Sequence, residues 1–257
     1  GWGLVHDPAR QTIYFTDLTQ VWAVDRTGRA RVVVPRVHTH ELRIDARGVL
    51  HGEDVQAQGN GARARHWQWT PDAPAARFTP WVDGWRAETG FVADSAGRLY
   101  RAVCDVPTDR CAVRRYDRSG RATTMTGADR FARPLNVLTA TPRGAILLAD
   151  GPHIVRVTEQ GPHSVFRNVT RATDRFAIMG LHALADGAII AAAAGDRLVL
   201  RLAPDGARQV LWRSTDGWSP SAALLVDGRL WVTEYDDRAR CRLVLVEPNG
   251  RSRVIPT

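Results

Sequence analysis

The chain has 257 residues and a mass of 28.4 kDa, with 44% hydrophobic and 24% charged residues, a composition that excludes wholesale disorder. Its apolar runs, such as residues 188–194, are far shorter than the roughly 18 residues of a transmembrane helix, so no membrane span is expected. The formal charge is +8 and all basic residues are arginine, which favours anionic partners.

The arginines are spread over nearly every turn of the chain and do not form one block. This distribution is typical of a solvated surface, so nucleic acid is not an expected partner. We expect a monomer that binds a small molecule. The arginines in turns include Arg26, Arg47, Arg98, Arg118, Arg143, Arg208, Arg229 and Arg251.

A repeat runs along the whole sequence. Each copy has an acidic or small turn residue, a glycine, and an apolar strand that ends in a polar or acidic residue. A second turn follows each copy, and the glycines of four such turns, at 120, 161, 206 and 250, are 41, 45 and 44 residues apart. The first turns of the copies lie near Asp7, Asp45, Asp94, Thr141, Asp186 and Asp227.

Two hairpin turns in a period of forty-odd residues, with β-branched or aromatic strands, are typical of a four-stranded propeller blade. The Asp-Gly and Asn-Gly pairs predict type I′ turns, in which both central residues have positive φ. A β-sandwich also has short strands at similar spacing, but the regular two-turn repeat argues against it.

Six periods fill the chain. We therefore predict an all-β fold, a six-bladed β-propeller with four-stranded antiparallel blades, as a single domain over residues 1–257. The predicted blades span about residues 1–36, 37–82, 83–130, 131–170, 171–213 and 214–257. Residues 56–65, with Gly-Asn-Gly at their centre, are predicted to form a mobile loop in the second blade.

Two segments carry a resemblance to known propellers. Asp227–Glu234, followed by Arg242–Gly250, resembles NHL-type repeats and, most closely, the blade motif of streptogramin lyases. Residues 133–136, which lead to Ala149 and Asp150, resemble the SMP-30/gluconolactonase group. The resemblance implies a lactonase- or esterase-like hydrolase or a lyase. It also implies a divalent cation, which a glutamate, asparagines and an aspartate hold in the gluconolactonase group; Asn136 matches one such position and Glu41 another.

In a propeller, the starts of the first strands and the loops between second and third strands open onto one face, at the mouth of the channel. Alignment of the copies on their glycines predicts that the first-strand positions there are Trp2, His40, Thr89, Asn136, Leu181 and Ala222. The loops add Asp17, Glu53, Asp54, Asp150, His153, Asp196, Glu234 and Tyr235.

The richest group of polar residues lies in the second blade. Histidines at i and i+2 of a strand point the same way, and imidazole with carboxylate is a common ligand set for divalent metals. We predict His38, His40, Glu41 and Glu53 as ligands of Zn, Mg or Ca. In the alternative, the histidines bond to loop carbonyls, Glu41 pairs with an arginine, and there is no cofactor.

The predicted site residues fall into two further groups. The predicted catalytic residues are His40, Glu41, Glu53, Glu234 and Tyr235. The predicted substrate-binding residues are Trp2, Trp85, Asn136, Asp150, His153 and Trp218.

Three functions remain open. The first is a hydrolase or lyase with its site at the channel mouth, acting on a small molecule, for which the arginine excess favours an anionic one. The second is a non-catalytic NHL-like propeller that binds a protein or an anionic polymer. The third is a metal-free synthase or cyclase that uses an apolar channel.

The cellular compartment is also open. A cytoplasmic location is the expectation, and export is the alternative if a signal peptide preceded Gly1. In an exported protein Cys104 and Cys111, which flank a short polar segment, are close enough in sequence for a disulfide that closes this loop.

Overall fold

The structure is a computed structural model that describes residues 3–45, 47–58, 61–83, 91–94, 98–105, 110–117, 119, 121–126, 131, 134–174 and 176–257. Over these ranges it contains 25 β-strands, a 3₁₀ helix at Ala194–Asp196, and no α-helix. No helix in the described ranges is long and apolar enough to cross a bilayer.

The strands form six antiparallel sheets, each built from consecutive strands. The first three sheets are β1 (Leu4–Asp7), β2 (Thr12–Thr16), β3 (Gln20–Val24) and β4 (Ala30–Pro35); β5 (Leu42–Ile44), β6 (Leu50–Gln58), β7 (Gly61–Trp69), β8 (Arg77–Phe78) and β9 (Val82–Asp83); and β10 (Phe91–Ala93), β11 (Leu99–Asp105), β12 (Arg110–Tyr116) and β13 (Ala122–Thr126).

The last three sheets are β14 (Pro134–Ala140), β15 (Ile146–Asp150), β16 (His153–Thr158) and β17 (Gly161–Phe166); β18 (Gly180–Ala183), β19 (Ile189–Ala193), β20 (Leu198–Leu202) and β21 (Arg208–Arg213); and β22 (Trp218–Val226), β23 (Arg229–Asp236), β24 (Cys241–Val246) and β25 (Ser252–Ile255). These six sheets are the blades of a β-propeller, and the predicted fold class is confirmed.

The second blade departs from the regular plan in two ways. Its fourth strand is split, because β8 and β9 both pair with β7 on either side of Pro80, which has no N–H to donate to the sheet. The predicted loop over residues 56–65 is wrong over its described part, since β6 and β7 stay paired as far as Gln58 and Gly61. The polar residues of this segment therefore belong to a long hairpin.

The chain divides into two compact units, residues 86–223 and residues 2–85 with 224–257. That residues 1–257 form a single domain stays a prediction. In the first unit, β15, β16, β19 and β20 supply a core that includes Leu147, Ile154, Ile189 and Leu202. In the second unit, residues of β2 and β3 pack against Leu50, Trp67 and Trp69, and Tyr14 meets Trp69 edge to face with ring centroids 6.1 Å apart.

Most hairpin turns differ from the predicted type. In the Asp205-Gly206 turn, Ala203 N–H donates to Ala207 O and Gly206 N–H to Ala203 O, and of the pair only Gly206 has positive φ. This is a type I turn followed by a left-handed glycine. Asp227-Gly228, with φ of 50° and 76°, has both residues at positive φ, as the type I′ prediction requires. An Asp-Gly pair thus predicts where a turn lies, but the number of residues between the two paired strands decides the turn type.

An aspartate at the first position closes many of these turns with its side chain. Asp25 Oδ1 accepts the N–H groups of Thr27 and Arg29 at 2.8 and 3.1 Å, and Asp236 Oδ1 accepts those of Arg238 and Arg240 at 3.0 and 2.9 Å. Such bonds satisfy N–H groups of the turn that have no partner in the pairing of the two strands. The acidic residue of the repeat therefore has a structural role in the turn.

The fourth turn residue supplies a test of this geometry. Gly206 has φ +90 and open space where a Cβ would be, whereas Ala239 occupies the equivalent turn position with φ 58. We expect Gly206→Ala to lower the free energy of unfolding by about 1–2 kcal/mol, because an L side chain is strained there. We expect Ala239→Gly to raise it by about 0.5 kcal/mol, since the relief of strain exceeds the entropy cost of glycine. Urea unfolding of both variants measures this, and shifts of the same sign would contradict it.

Candidate functional site

The segment from Val37 to Glu41, between β4 and β5, is held from two sides within the unit of residues 2–85 and 224–257. Val37 N–H donates to Thr19 O at 3.0 Å, and Val55 N–H donates to His38 O at 2.9 Å. The carbonyl of His40 accepts the N–H of Gly3 at 2.6 Å. Main-chain bonds from the first blade and from β6 therefore fix the backbone that carries both histidines.

Thr39 is the buried anchor of this segment, with no exposed surface. Its carbonyl accepts a hydrogen bond from Thr16 Oγ1 at 3.1 Å, and its own Oγ1 donates to Glu41 O at 3.2 Å. Gly52 lies against it: a Cβ on Gly52 would be 2.9 Å from Thr39 Oγ1 and 2.3 Å from the Trp67 ring. This packing fixes Thr39 in the core between its two histidine neighbours.

His38 and His40 lie against each other, with ring centroids 4.6 Å apart and planes at 82°. His38 Nδ1 is 2.9 Å from Leu18 O, and because a carbonyl only accepts, Nδ1 carries the proton and Nε2 has the lone pair in the neutral ring. Burial, together with the neighbouring His38, lowers the pKa of His40 to about 4. His40 is therefore a neutral base at physiological pH.

The carboxylate of Asp54 supports this pair of histidines from β6. Asp54 is 2% exposed, and its Oδ1 accepts the N–H of His38 at 3.0 Å. Its Oδ2 receives Nε and Nη2 of Arg65, both at 2.9 Å. Arg65 in turn lies over the rings of Phe78 and Trp81, with its Cζ 4.0 and 4.4 Å from their centroids. A buried charge is thereby paired and hydrogen-bonded.

The predicted metal ligands do not combine into a metal site in the described structure. Glu53 Oε1 lies 3.5 Å from Nδ1 of His66, its partner across the β6–β7 ladder. Over the described ranges, no group of three or more His, Cys, Asp and Glu side chains is arranged to hold an ion. As placed in the described part of the chain, His38, His40, Glu41 and Glu53 do not fit a metal, so no chemical step is derived through one.

Glu234 and Tyr235 lie on β23. Glu234 has no exposed surface, and its Oε2 receives Nε and Nη2 of Arg242 from β24 at 2.7 and 2.6 Å. Tyr235 is half-buried and faces Cys241 in the β23–β24 register. Glu234 thus has an ion-pair partner within its own blade, and the catalytic roles of both residues stay predictions.

The predicted substrate-binding residues that the structure describes lie in the unit of residues 86–223. Asp150 and His153 face each other across the β15–β16 turn; Asp150 is buried, and His153 Nδ1 accepts the N–H of Asn168 at 3.1 Å. Asn136 lies on β14, with its side chain outside the described part, and half-buried Trp218 begins β22. Trp2 and Trp85 lie outside the described residues, as do the side chains of Cys104 and Cys111, whose backbones are directly opposed in β11–β12. The substrate-binding role of these residues stays a prediction.

The sequence placed Asp54 at the channel mouth beside Glu53 but assigned it no catalytic, metal-binding or substrate-binding role. On β6 the positions of Leu50, Gly52 and Asp54 are buried, so the even positions face the core and Glu53 faces the other side. The alternation that starts at Leu50 was available in the sequence and selects Asp54. Its partner Arg65 lies on β7, the second strand of a hairpin that was predicted to be a loop because of its Gly-Asn-Gly centre.

Comparison with solved structures finds propellers across the whole chain. At 15% identity and a TM-score of 0.61, virginiamycin B lyase from Staphylococcus aureus matches 100% of this chain and 84% of its own. A gluconolactonase from Xanthomonas campestris is 15% identical and matches with a TM-score of 0.66 over 95% of this chain and 84% of its own. Regucalcin from Agrobacterium tumefaciens, described as a calcium-binding protein, is 16% identical. It matches with a TM-score of 0.61 over 91% of this chain and 81% of its own.

No family model matches this chain, and no curated protein matches it in sequence. The structural likeness bears out the propeller fold that the sequence resemblance implied. Its neighbours include lyases and a gluconolactonase, at identities that carry the fold and leave the activity to be argued from this chain's own residues.

The lowered pKa of His40 predicts how stability depends on pH. The unfolded ring takes up its proton near pH 6.5 and the folded ring near pH 4, so stability is lost as pH falls through this window. We expect His40→Gln to flatten the fall in unfolding free energy between these pH values, as measured by urea unfolding at a series of pH values. His163→Gln, which changes an exposed ring, is the control. A wild-type slope in His40→Gln would contradict the assignment.

Proposed function

We propose that this chain is a propeller enzyme that opens an ester or lactone bond in a small molecule, with His40 as the group that accepts a proton. The observation that carries the proposal is the half-buried His40 ring, kept neutral beside His38 on a backbone segment fixed from two sides. A base held in place and unprotonated at neutral pH is ready for the first proton transfer of either hydrolysis or elimination.

Two reactions suit this base. In hydrolysis, His40 takes a proton from water as its oxygen attacks the carbonyl carbon, and the resulting imidazolium returns the proton to the departing alkoxide. In elimination, His40 takes a proton from the carbon next to the one that bears the ester oxygen; a carbon–carbon double bond forms, and the carboxylate leaves. In both reactions a substrate anion close to the ring would raise the low pKa of His40 and favour the transfer.

The substrate class follows from two sources. The structural neighbours include a gluconolactonase and virginiamycin B lyase, the latter also solved with quinupristin. The arginine excess and the formal charge of +8 favour a substrate with a carboxylate or another anionic group. We therefore infer lactones and cyclic esters as the first compounds to test.

The activity test uses a panel of lactones and cyclic esters, including gluconolactone and quinupristin, with products identified by mass spectrometry. Hydrolysis adds the mass of one water, whereas elimination within a ring gives an isomer of unchanged mass, so one measurement separates the two reactions. We expect His40→Gln to lower kcat by about 100-fold or more, because the proton acceptor is lost. Turnover by His40→Gln at the rate of His163→Gln would overturn the role of His40.

The metal-assisted form predicted from the sequence requires His38, His40, Glu41 and Glu53 to meet at one ion, and the described side chains do not do so. We expect protein treated with EDTA to keep its activity on any substrate that the panel identifies. Elemental analysis of the untreated protein for Zn, Mg and Ca accompanies the assay. A loss of activity that one of these ions restores would contradict the metal-free form of the proposal and leave the proton-acceptor test unaffected.

A binding propeller without catalysis is the second candidate. Its support is a basic aromatic group on the second blade, where Arg63 and Arg65 lie 4.5 and 4.4 Å over Trp81, next to Phe78, which is 40% exposed. Such groups suit anionic or aromatic partners. No turnover of any panel compound, combined with salt-dependent retention on heparin, would favour this function.

A further inference from the structure

A cavity lies within the unit of residues 2–85 and 224–257, at the ends of the strands opposite to the segment that carries His38 and His40. Its volume is about 310 Å³, and hairpin turns of the first and last blades surround it. This volume is at the lower end of the range for small-molecule sites. The apolar part of its wall includes Ile13 and Trp231.

One charged pair in the wall is already satisfied. Arg229 Nε lies 3.0 Å from Glu247 Oε2, and Arg229 Nη1 donates to Arg26 O at 3.1 Å. These bonds join the turn between β3 and β4 to the last blade. Because their charges compensate each other, Arg229 and Glu247 build the wall and leave ligand recognition to other groups.

Two opposite charges in the same wall remain unpaired. Among the described residues, neither the Arg26 guanidinium nor the Asp227 carboxylate makes a hydrogen bond or ion pair, although both line the cavity. Asp227 is held in the left-handed region at φ 50 by the type I′ turn that it forms with Gly228. The turn therefore fixes the backbone position from which the Asp227 side chain extends.

His6 adds a neutral polar group. Its ring is half-buried, lines the cavity and has no hydrogen-bond partner among the described residues. Burial lowers the pKa of His6 more than the charges of Asp227 and Asp7 raise it, so the ring is uncharged at neutral pH. It can donate or accept one hydrogen bond to a ligand.

We propose that this cavity binds a small zwitterion of the α-amino-acid class, with its carboxylate on Arg26, its ammonium on Asp227 and its side chain against Ile13 and Trp231. A guanidinium and a carboxylate that do not pair with each other present complementary charges to such a ligand, and a zwitterion satisfies both without adding net charge. The site is independent of the reaction proposed at His40.

The test is isothermal titration calorimetry of the full chain with each of the twenty standard amino acids. For the best binder, the analogues that lack only the amino group or only the carboxylate are titrated as well. We expect binding by the zwitterion, and about tenfold weaker binding by each single-charge analogue, because each loses one charged contact. Asp227→Asn and Arg26→Gln should each weaken binding by a similar factor.

We expect the Asp227→Asn variant to keep its turn and fold, because asparagine tolerates positive φ as aspartate does. A loss of binding in this variant therefore reports the loss of the negative charge. Matched controls are Arg143→Gln and Asp72→Asn, which change exposed charges outside the cavity wall. The controls should bind like the wild type. The proposal is overturned if no amino acid binds, if the single-charge analogues bind as well as the zwitterion, or if both cavity variants bind normally.

Discussion

The buried carboxylate of Asp54 is the constraint on which the second blade and its histidines depend. A charge that is 2% exposed is stable only if it is paired and hydrogen-bonded, and Asp54 meets this demand with Arg65 and the amide of His38. Arg65 is itself covered by Phe78 and Trp81. One carboxylate therefore ties the split fourth strand of the blade to the segment that presents His38 and His40.

The architecture could be predicted from the sequence because turns in a blade are local. An aspartate and a glycine at fixed spacing close a hairpin through their own side chain and backbone, so six repeats are visible without any long-range contact. The turn type was less visible, since Asp205-Gly206 and Asp227-Gly228 look alike in sequence but belong to turns of different length. The fourth strand of the second blade is interrupted at Pro80, and its two parts, β8 and β9, both pair with β7.

The candidate site could be predicted only in part. The prediction placed His38 and His40 at i and i+2 of one strand, but the structure puts them in the segment between β4 and β5, where their rings are in contact. The prediction gave a ligand role to Glu53 and none to Asp54, whereas strand alternation puts these two carboxylates on opposite faces, with Asp54 on the buried one. Arg65 could not be found from spacing, because its bond to Asp54 requires the paired length of the β6–β7 hairpin. Contacts between residues on two paired strands depend on the pairing register, which residue spacing in the sequence does not give.

The arginine excess also has a structural explanation. Several arginines pair with the acidic residue of their own turn, as Arg98 does with Asp94 at 2.7 Å and Arg240 with Asp236 at 2.6 Å. In both pairs the carboxylate is buried and the guanidinium reaches solvent, so the arginine compensates a buried negative charge in the turn. Arg26 differs from these turn-closing arginines because it lines a cavity that also holds Asp227.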